Sequence, residues 1–338
     1  MDPVDLTRAL VDIDSTTGRE GAAGRWLADH LRERGFEVVA QRVDAERFNI
    51  LATSGQRPQV VPSTHFDCVP PFFPSRVDGD RLYGRGACDA KGILAAQVAA
   101  VETLRDQGEM RVGLLFVVGE ERGSDGARVA NQSGVGSRYL VNGEPTDSRL
   151  GAATRGILRV KLHAMGRAAH SSFPELGESA IDKLLDVLID LRSIPLPTDP
   201  VLGATHYTIG LISGGVAPNV VPPAAEAEVM FRTVSGGDAI RHAMAPLEER
   251  VQIEPVLEVP PVRLTSVPGF ESAVFPYTTD VPFLTAWGQP LLFGPGSIHV
   301  AHTSEEFVSI RELMAAVGHY AAIARHLLVT GGPAANAQ

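Results

Sequence analysis

The sequence predicts an α/β protein: a mostly parallel sheet with helices on both faces, interrupted by an inserted α+β domain. Three observations predict it. Helical and strand-like periodicities alternate through the first half of the chain. One run there, "RVGLLFVVGEE", is almost wholly apolar, as a central strand covered on both faces has to be. Later strands alternate apolar with polar residues, the pattern of a sheet with one solvated face. At 338 residues the chain also exceeds one ordinary core, so two domains are expected.

The elements follow in order. "PVDLTRALVDI" spaces Leu6, Leu10 and Val11 as a helix does. A helix from Glu20 to Arg34 is stopped by Gly35 and leads into a strand. "RPQVVPSTHFD" reads as a buried strand, "KGILAAQVAAVETLRDQG" as an Ala- and Leu-rich helix ending at Gly108, and "SRYLVNGEP" as a further strand. Residues 1–155 thus form the α/β part. In the insertion, 156–263, "GILRVKLHAMG" is a strand and "ESAIDKLLDVLIDLRSI" an amphipathic helix. "HYTIGLISGG" and "AAEAEVMFRTV" are strands, "GDAIRHAMAPLEERV" is one helix and "IEPVLEV" the last strand. The order β-α-β-β-α-β is that of a split βαβ sandwich. Residues 264–338 rejoin the first domain with a strand in "VPFLTAWGQPLLFGPG" and a long final helix. The tail "TGGPAANAQ" reads as disordered.

Composition narrows the function classes. With 44% hydrophobic and 21% charged residues the chain reads as a globular enzyme. A formal charge of −10 argues against nucleic acid and against an anionic membrane surface. Cys68 and Cys88 form neither a CxxC pair nor a disulfide framework and read as small packing residues, which suits a reducing compartment. The acidic N-terminus, "MDPVDLTRALVDIDS", reads as neither a signal peptide nor a membrane span, which favours the cytoplasm.

Chemistry-bearing residues stand at strand ends. His65 and Asp67 close the run "VVPSTHFD"; two positions apart in a strand, they would face one site. Asp89 precedes a helix, Glu120 and Glu121 end "LLFVVGEE", Glu144 follows "YLVNG", and His299 and His302 come far downstream. Ligand sites of open α/β sheets form beyond the C-terminal ends of strands. Singly, each residue also has a plain reading: a hydrogen-bonded surface pair, a solvated acidic loop or a satisfied polar histidine. Together, clustered carboxylates repel one another unless a cation joins them, and mixed nitrogen and carboxylate donors suit zinc, with manganese or cobalt as substitutes.

The segments "THFDCVP", "YGRGACDAKG", "GEERGSDG", "GEPT", "GRAAHSS", "GGVAPNVVP", "FRT" and "GPGSIHVAH" occur in one order across nearly the whole chain. In that order they resemble the di-zinc amidohydrolase and carboxypeptidase family of acetylornithine deacetylase, succinyl-diaminopimelate desuccinylase, aminoacylase and glutamate carboxypeptidase. The resemblance implies Asp89 between two metal ions, with His65 and Glu144 on one and Glu121 and His302 on the other. It implies Glu120 as general base, Asp67 as the carboxylate orienting His65, and a cis Asp89–Ala90 peptide. His170 resembles a histidine that crosses a dimer to bind the developing oxyanion. Arg232 and Asn219 resemble a pair gripping a substrate carboxylate. The "GPG" turn up to Gly296 would bring backbone near the substrate, and Thr279–Asp280 would have a supporting role.

The implied activity is amide hydrolysis of an N-acyl amino acid by a cytoplasmic homodimer carrying two divalent metal ions. Acetylornithine deacetylase-like members stand nearest in "GACDAKG" and "GPGSI". A dipeptidase or carboxypeptidase is the alternative. A binding protein that kept the fold without the chemistry is the third reading, disfavoured by the complete set of Glu120 and five ligand-type residues.

Overall fold

The alternating periods of the first half supply five strands of a six-stranded sheet, and Gln289–Leu292 supplies the sixth. In the computed structural model, which describes residues 2–330, the chain divides into two units. One comprises the residues up to Ala152, Leu264–Ala273 and Thr279 onward; the other comprises Ala153–Arg263 and Val274–Thr278. The tail from Gly331 lies outside the described residues.

In the first unit the strands run in the order Glu37–Arg42, Phe48–Thr53, Leu114–Val117, Val60–His65, Tyr139–Asn142, Gln289–Leu292. The last four are mutually parallel and the first two add antiparallel pairs. Strand Phe48–Thr53 escapes the sequence reading because Asn49 interrupts its apolar run. The structure buries Asn49 and satisfies it, with Oδ1 accepting from Val118 N at 3.2 Å and Nδ2 donating to Gly126 O at 2.8 Å. Helices α1 (Pro3–Val11), α2 (Gly21–Glu33), α3 (Lys91–Asp106), α4 (Asp125–Asn131) and α7 (Ile310–Thr330) complete the unit. Asp2 caps α1 by accepting from Asp5 N at 2.9 Å, the job an N-cap aspartate does well. By length and composition alone α7 could cross a bilayer. Its Leu313, Ala316, Tyr320, Ile323 and Leu327 are instead buried in the main core with α3 residues Ile93, Val101 and Leu104.

Parallel strands put their C-terminal ends on one edge. His65 ends one strand, Glu120 follows Val117 by three residues, and Glu144 follows Asn142 by two. The sheet therefore delivers three of the chemistry-bearing side chains to one place.

The second unit is a four-stranded antiparallel sheet ordered His206–Gly214, Ala224–Thr233, Gly156–Met165, Gln252–Val259. Its buried face (Leu158, Val160, Leu162, Val229, Phe231) meets Leu184 and Val187 of α5 (Ala180–Leu191) and Ile240 of α6 (Asp238–Met244). The helix expected over "GDAIRHAMAPLEERV" is shorter than its sequence period suggests. Its α-helical part ends at Met244 and a 3-10 turn, Ala245–Glu249, follows. Pro246 is the reason, since a proline in a helix interior removes an N–H and clashes with the preceding turn.

Candidate active site

The strand Val60–His65 is buried along its whole length and stops at His65. The two-residue, same-face relation between His65 and Asp67 therefore does not operate. His65 Nδ1 lies 3.0 Å from the Asp67 backbone carbonyl and 3.4 Å from the Asp67 carboxylate. A carbonyl only accepts, so Nδ1 carries a ring proton, and Nε2 is the nitrogen left to face the site. Nε2 faces Asp89 Oδ1 at 3.0 Å. The Asp67 carboxylate spends most of its capacity elsewhere. It accepts from Thr17 Oγ1 at 2.8 Å and from the amides of Glu120 and Glu121 at 3.1 and 3.3 Å. Asp67 thus fixes the turn that presents both glutamates. That turn starts at Gly119, whose φ of 75° favours glycine.

On the far side of Asp89, its Oδ2 lies 3.4 Å from His302 Nε2, and the same nitrogen lies 2.9 Å from Glu121 Oε1. Two donor groups result, His65–Asp89–Glu144 and Asp89–Glu121–His302, each with ligand atoms within 4.8 Å of one another. Asp89 belongs to both. His302 has a left-handed backbone, φ 64°, and the Asp89–Ala90 peptide is cis. His299 is exposed and belongs to neither group. The "GPG" turn serves the Glu144 segment rather than open space. A Cβ on Gly294 would lie 2.4 Å from Glu144 O, and Gly296 N–H already donates to Glu312 Oε2 at 3.2 Å. The Gly296 N–H expected to approach a substrate is thus taken up internally.

The three candidates of the second unit sit as follows. His170 is exposed and bridges Val220, while Ser171 N donates to Asn219 O at 3.0 Å, so the His170 and Asn219 segments are paired. His170 Nδ1 accepts from Ser172 N at 3.2 Å, which leaves the proton on Nε2, a donor with no partner among the described residues. Arg232 lies on strand Ala224–Thr233, opposite His206 and Ile157, and is half-buried. Among the described residues its guanidinium has no ion pair and no hydrogen bond, and burial alone lowers its pKa.

The sequence profile of peptidase family M20/M25/M40 matches residues 62–326. The chain belongs to peptidase family M20/M25/M40. A peptidase M20 domain-containing protein of Schizosaccharomyces pombe is 36% identical over 94% of this chain and 82% of its own. A probable carboxypeptidase of Aspergillus terreus is 40% identical over 93% of this chain and 83% of its own. Among solved structures, an M20 family metallo-carboxypeptidase of Sulfolobus solfataricus superposes with a TM-score of 0.76 at 16% identity, covering 97% of this chain and all (100%) of that one. A dinuclear metal binding peptidase of the M20 family from Bacillus subtilis gives 0.75 at 17% identity, covering 97% and 98%. This M20 chain is a metal-dependent hydrolase.

The donor set of the M20 chain fits divalent cations. Glu144 is buried and its Oε1 has no hydrogen-bond partner among the described residues. Burial, and then Glu144, pushes the Glu120 carboxyl well above the usual carboxylate range. Burial likewise raises Glu144 and Glu121. Burial would raise Asp89 too, but hydrogen bonds from His302 and His65 outweigh it and hold the group low. His302 is raised to about 10 by Asp89 and Glu121. So many buried acids of one sign are stable only with cations or bound protons between them.

A pH dependence follows. Stripped of divalent ions, the folded chain holds the His302 proton up to about 10, whereas an unfolded histidine releases it near 6.5. That contribution to stability is fully present below pH 6.5 and is lost as pH rises toward 10. The raised Glu120 and Glu144 act in the same direction, because the folded state binds more protons than the unfolded one. Thermal melts of chelated protein are expected to show a falling Tm across this window, with zinc abolishing much of the slope. A Tm that rises with pH contradicts these charge assignments.

Sequence reading gave no role to one residue of this M20 site and understated another. Glu306 is fully buried behind Asp89, whereas its neighbour Glu305 is exposed. "TSEEF" offers no signal that separates the two, since both follow the same polar run. Asp280 is buried and neither oxygen has a well-formed hydrogen bond among the described residues. Burial raises it to about 7, against a weaker pull from the Ser124 hydroxyl.

Proposed function

We propose that this M20 chain hydrolyses the amide bond of a small substrate whose leaving amine is an amino acid with a free α-carboxylate. The reading carried over from the sequence is an N-acyl amino acid, handled in the manner of acetylornithine deacetylase or succinyl-diaminopimelate desuccinylase. The observation that carries the hydrolytic part is two three-donor groups sharing Asp89, with the half-buried Glu120 next to Glu121 in the same turn. His65 and Glu144 would hold one divalent ion, Glu121 and His302 the other, and Asp89 both; zinc suits this donor set. When bound, such ions polarise a scissile carbonyl and make water more acidic.

The chain's own residues supply the rest. Glu120, held by Asp67 through its backbone amide, takes a proton from the attacking water and returns it to the leaving nitrogen. Its raised pKa suits a group that must accept and then give up that proton near neutrality. His170, with its proton on Nε2, donates to the developing oxyanion of the partner subunit's substrate in a homodimer. Arg232, unpaired and half-buried, grips the α-carboxylate with Asn219, a task its planar fork suits. The free thiols of Cys68 and Cys88 support a reducing, cytoplasmic setting.

A second reading, carboxypeptidase or dipeptidase, is favoured by the name of the Aspergillus terreus relative. It differs only in what lies on the acyl side. A panel of N-acetyl and N-succinyl amino acids beside dipeptides, followed by amine release, decides between the two. Dipeptides turned over well while acyl amino acids are ignored would replace the deacylase reading with the peptidase one.

Arg232 gives a separate expected result. Converting the substrate's α-carboxylate to an amide should lower kcat/KM roughly 10- to 100-fold, since a hydrogen bond to a charged group is worth ~1.5–3 kcal/mol. Arg232→Met should flatten that difference. Equal rates on acid and amide by the wild-type chain remove this role.

A further inference from the structure

Glu306 lies four residues beyond His302 in the sequence and is fully buried. Its Oε1 accepts three backbone amides of one loop: Gly86 at 3.0 Å, Cys88 at 3.1 Å and Asp89 at 3.1 Å. Its Oε2 accepts from Arg85 Nη1 at 2.7 Å, and its own backbone carbonyl accepts from Gly84 N at 3.1 Å. One side chain therefore holds three of the six backbone amides of the segment Gly84–Asp89. Gly86 takes a φ of 84°, and a Cβ there would lie 2.5 Å from Cys68 Sγ, so the loop has little freedom of its own. The loop ends in Asp89, which both donor groups share. The Glu306 end of the clamp continues into the segment carrying His302, which belongs to only one of them.

We propose that Glu306 is a positioning residue that sets the distance between Asp89 and His302, and so selectively tunes the affinity of the Asp89–Glu121–His302 group for its cation. The proposal rests on the two-cation reading above. The His65–Asp89–Glu144 group lacks any residue from the Glu306 segment, so it should feel the clamp less. The guanidinium of the buried Arg85 donates to the other oxygen of Glu306 at 2.7 Å, a charge-assisted bond that fixes the side chain against the loop. Glu306 touches neither substrate nor cation in this scheme; it acts through Asp89 and through its own loop.

The test is a titration of chelated protein with zinc, read by calorimetry, and with cobalt, read by its visible absorption. Wild type, Glu306→Gln and the exposed control Glu305→Gln are compared, with circular dichroism and thermal melts on each. A second variant, Arg85→Met with Glu306→Gln, removes both buried charges together, in case Glu306→Gln alone leaves Arg85 unpaired and the chain unfolded. Wild type and Glu305→Gln should show two binding steps. In the folded Glu306 variant the step that Glu121→Gln also weakens should lose about tenfold or more in affinity while the other step changes less than about threefold. Cobalt spectra should change only in the band filled by that step. Two unchanged steps in a folded variant, or two steps weakened equally, overturn the proposal. So does unfolding of both Glu306 variants, because Glu306 then serves the fold and not the site. A wild-type chain that binds fewer than two equivalents overturns the two-cation reading itself, and this proposal with it.

Discussion

Glu120→Gln is expected to cut turnover by about 10²–10⁴-fold while leaving bound metal at the wild-type level. Gln keeps the shape and the turn. The backbone amide of residue 120 still donates to Asp67, 3.1 Å away in the wild-type chain. What is lost is the ability to accept a proton from water and hand it to the leaving nitrogen. Glu121→Gln is expected to behave in the opposite way. Glu121 faces His302 Nε2 at 2.9 Å and belongs to a donor group, while Glu120 belongs to none. Its neutral amide should weaken metal retention first and lower activity as a consequence. Metal analysis beside single-turnover kinetics separates the two. If Glu120→Gln loses metal and Glu121→Gln keeps it, the roles are reversed.

His170→Ala is expected to lower kcat by about 10²–10³-fold with metal content unchanged, the range for losing one oxyanion donor. His170 is exposed, and its tautomer is set by Ser172 N at 3.2 Å, so the substitution should leave the second unit folded. Mixing inactive Glu120→Gln chains with inactive His170→Ala chains should restore activity if the histidine serves the partner's site. The restored heterodimer would hold one intact Glu120 facing one intact His170. Subunit exchange without recovered activity confines His170 to its own chain or to no role. A fully active monomer would end the idea more simply.

How much of this was legible in the sequence depended on the kind of signal. The split βαβ order of the insertion could be read because its strands alternate cleanly, as in Ala224–Thr233 with every second residue buried. The first unit's parallel strands were legible as apolar runs. Strand Phe48–Thr53 was not, because a buried, hydrogen-bonded Asn49 looks polar to any periodicity count. Pro246 was a visible helix breaker that the amphipathic pattern around it concealed. Motif order named the residues of both donor groups, but spacing misled about Asp67. A same-face strand relation was expected, and the strand ends at His65. What Asp67 does depends on amides more than fifty positions away in sequence, at Glu120 and Glu121. Glu306 illustrates the same limit. Its partners at Gly86, Cys88 and Asp89 lie over 200 residues upstream, so only the folded chain brings them together.

The central claim is that Asp89 is shared by two cation sites and that hydrolysis needs both. Its most direct test is metal content and activity measured together, on wild type and on Asp89→Asn, after exhaustive chelation and stepwise return of zinc. The expected result is no turnover in the chelated wild type, full recovery only near two equivalents per chain, and neither tight binding nor recovery in Asp89→Asn. Full turnover of the chelated wild type, or a metal-replete and active Asp89→Asn, would contradict it.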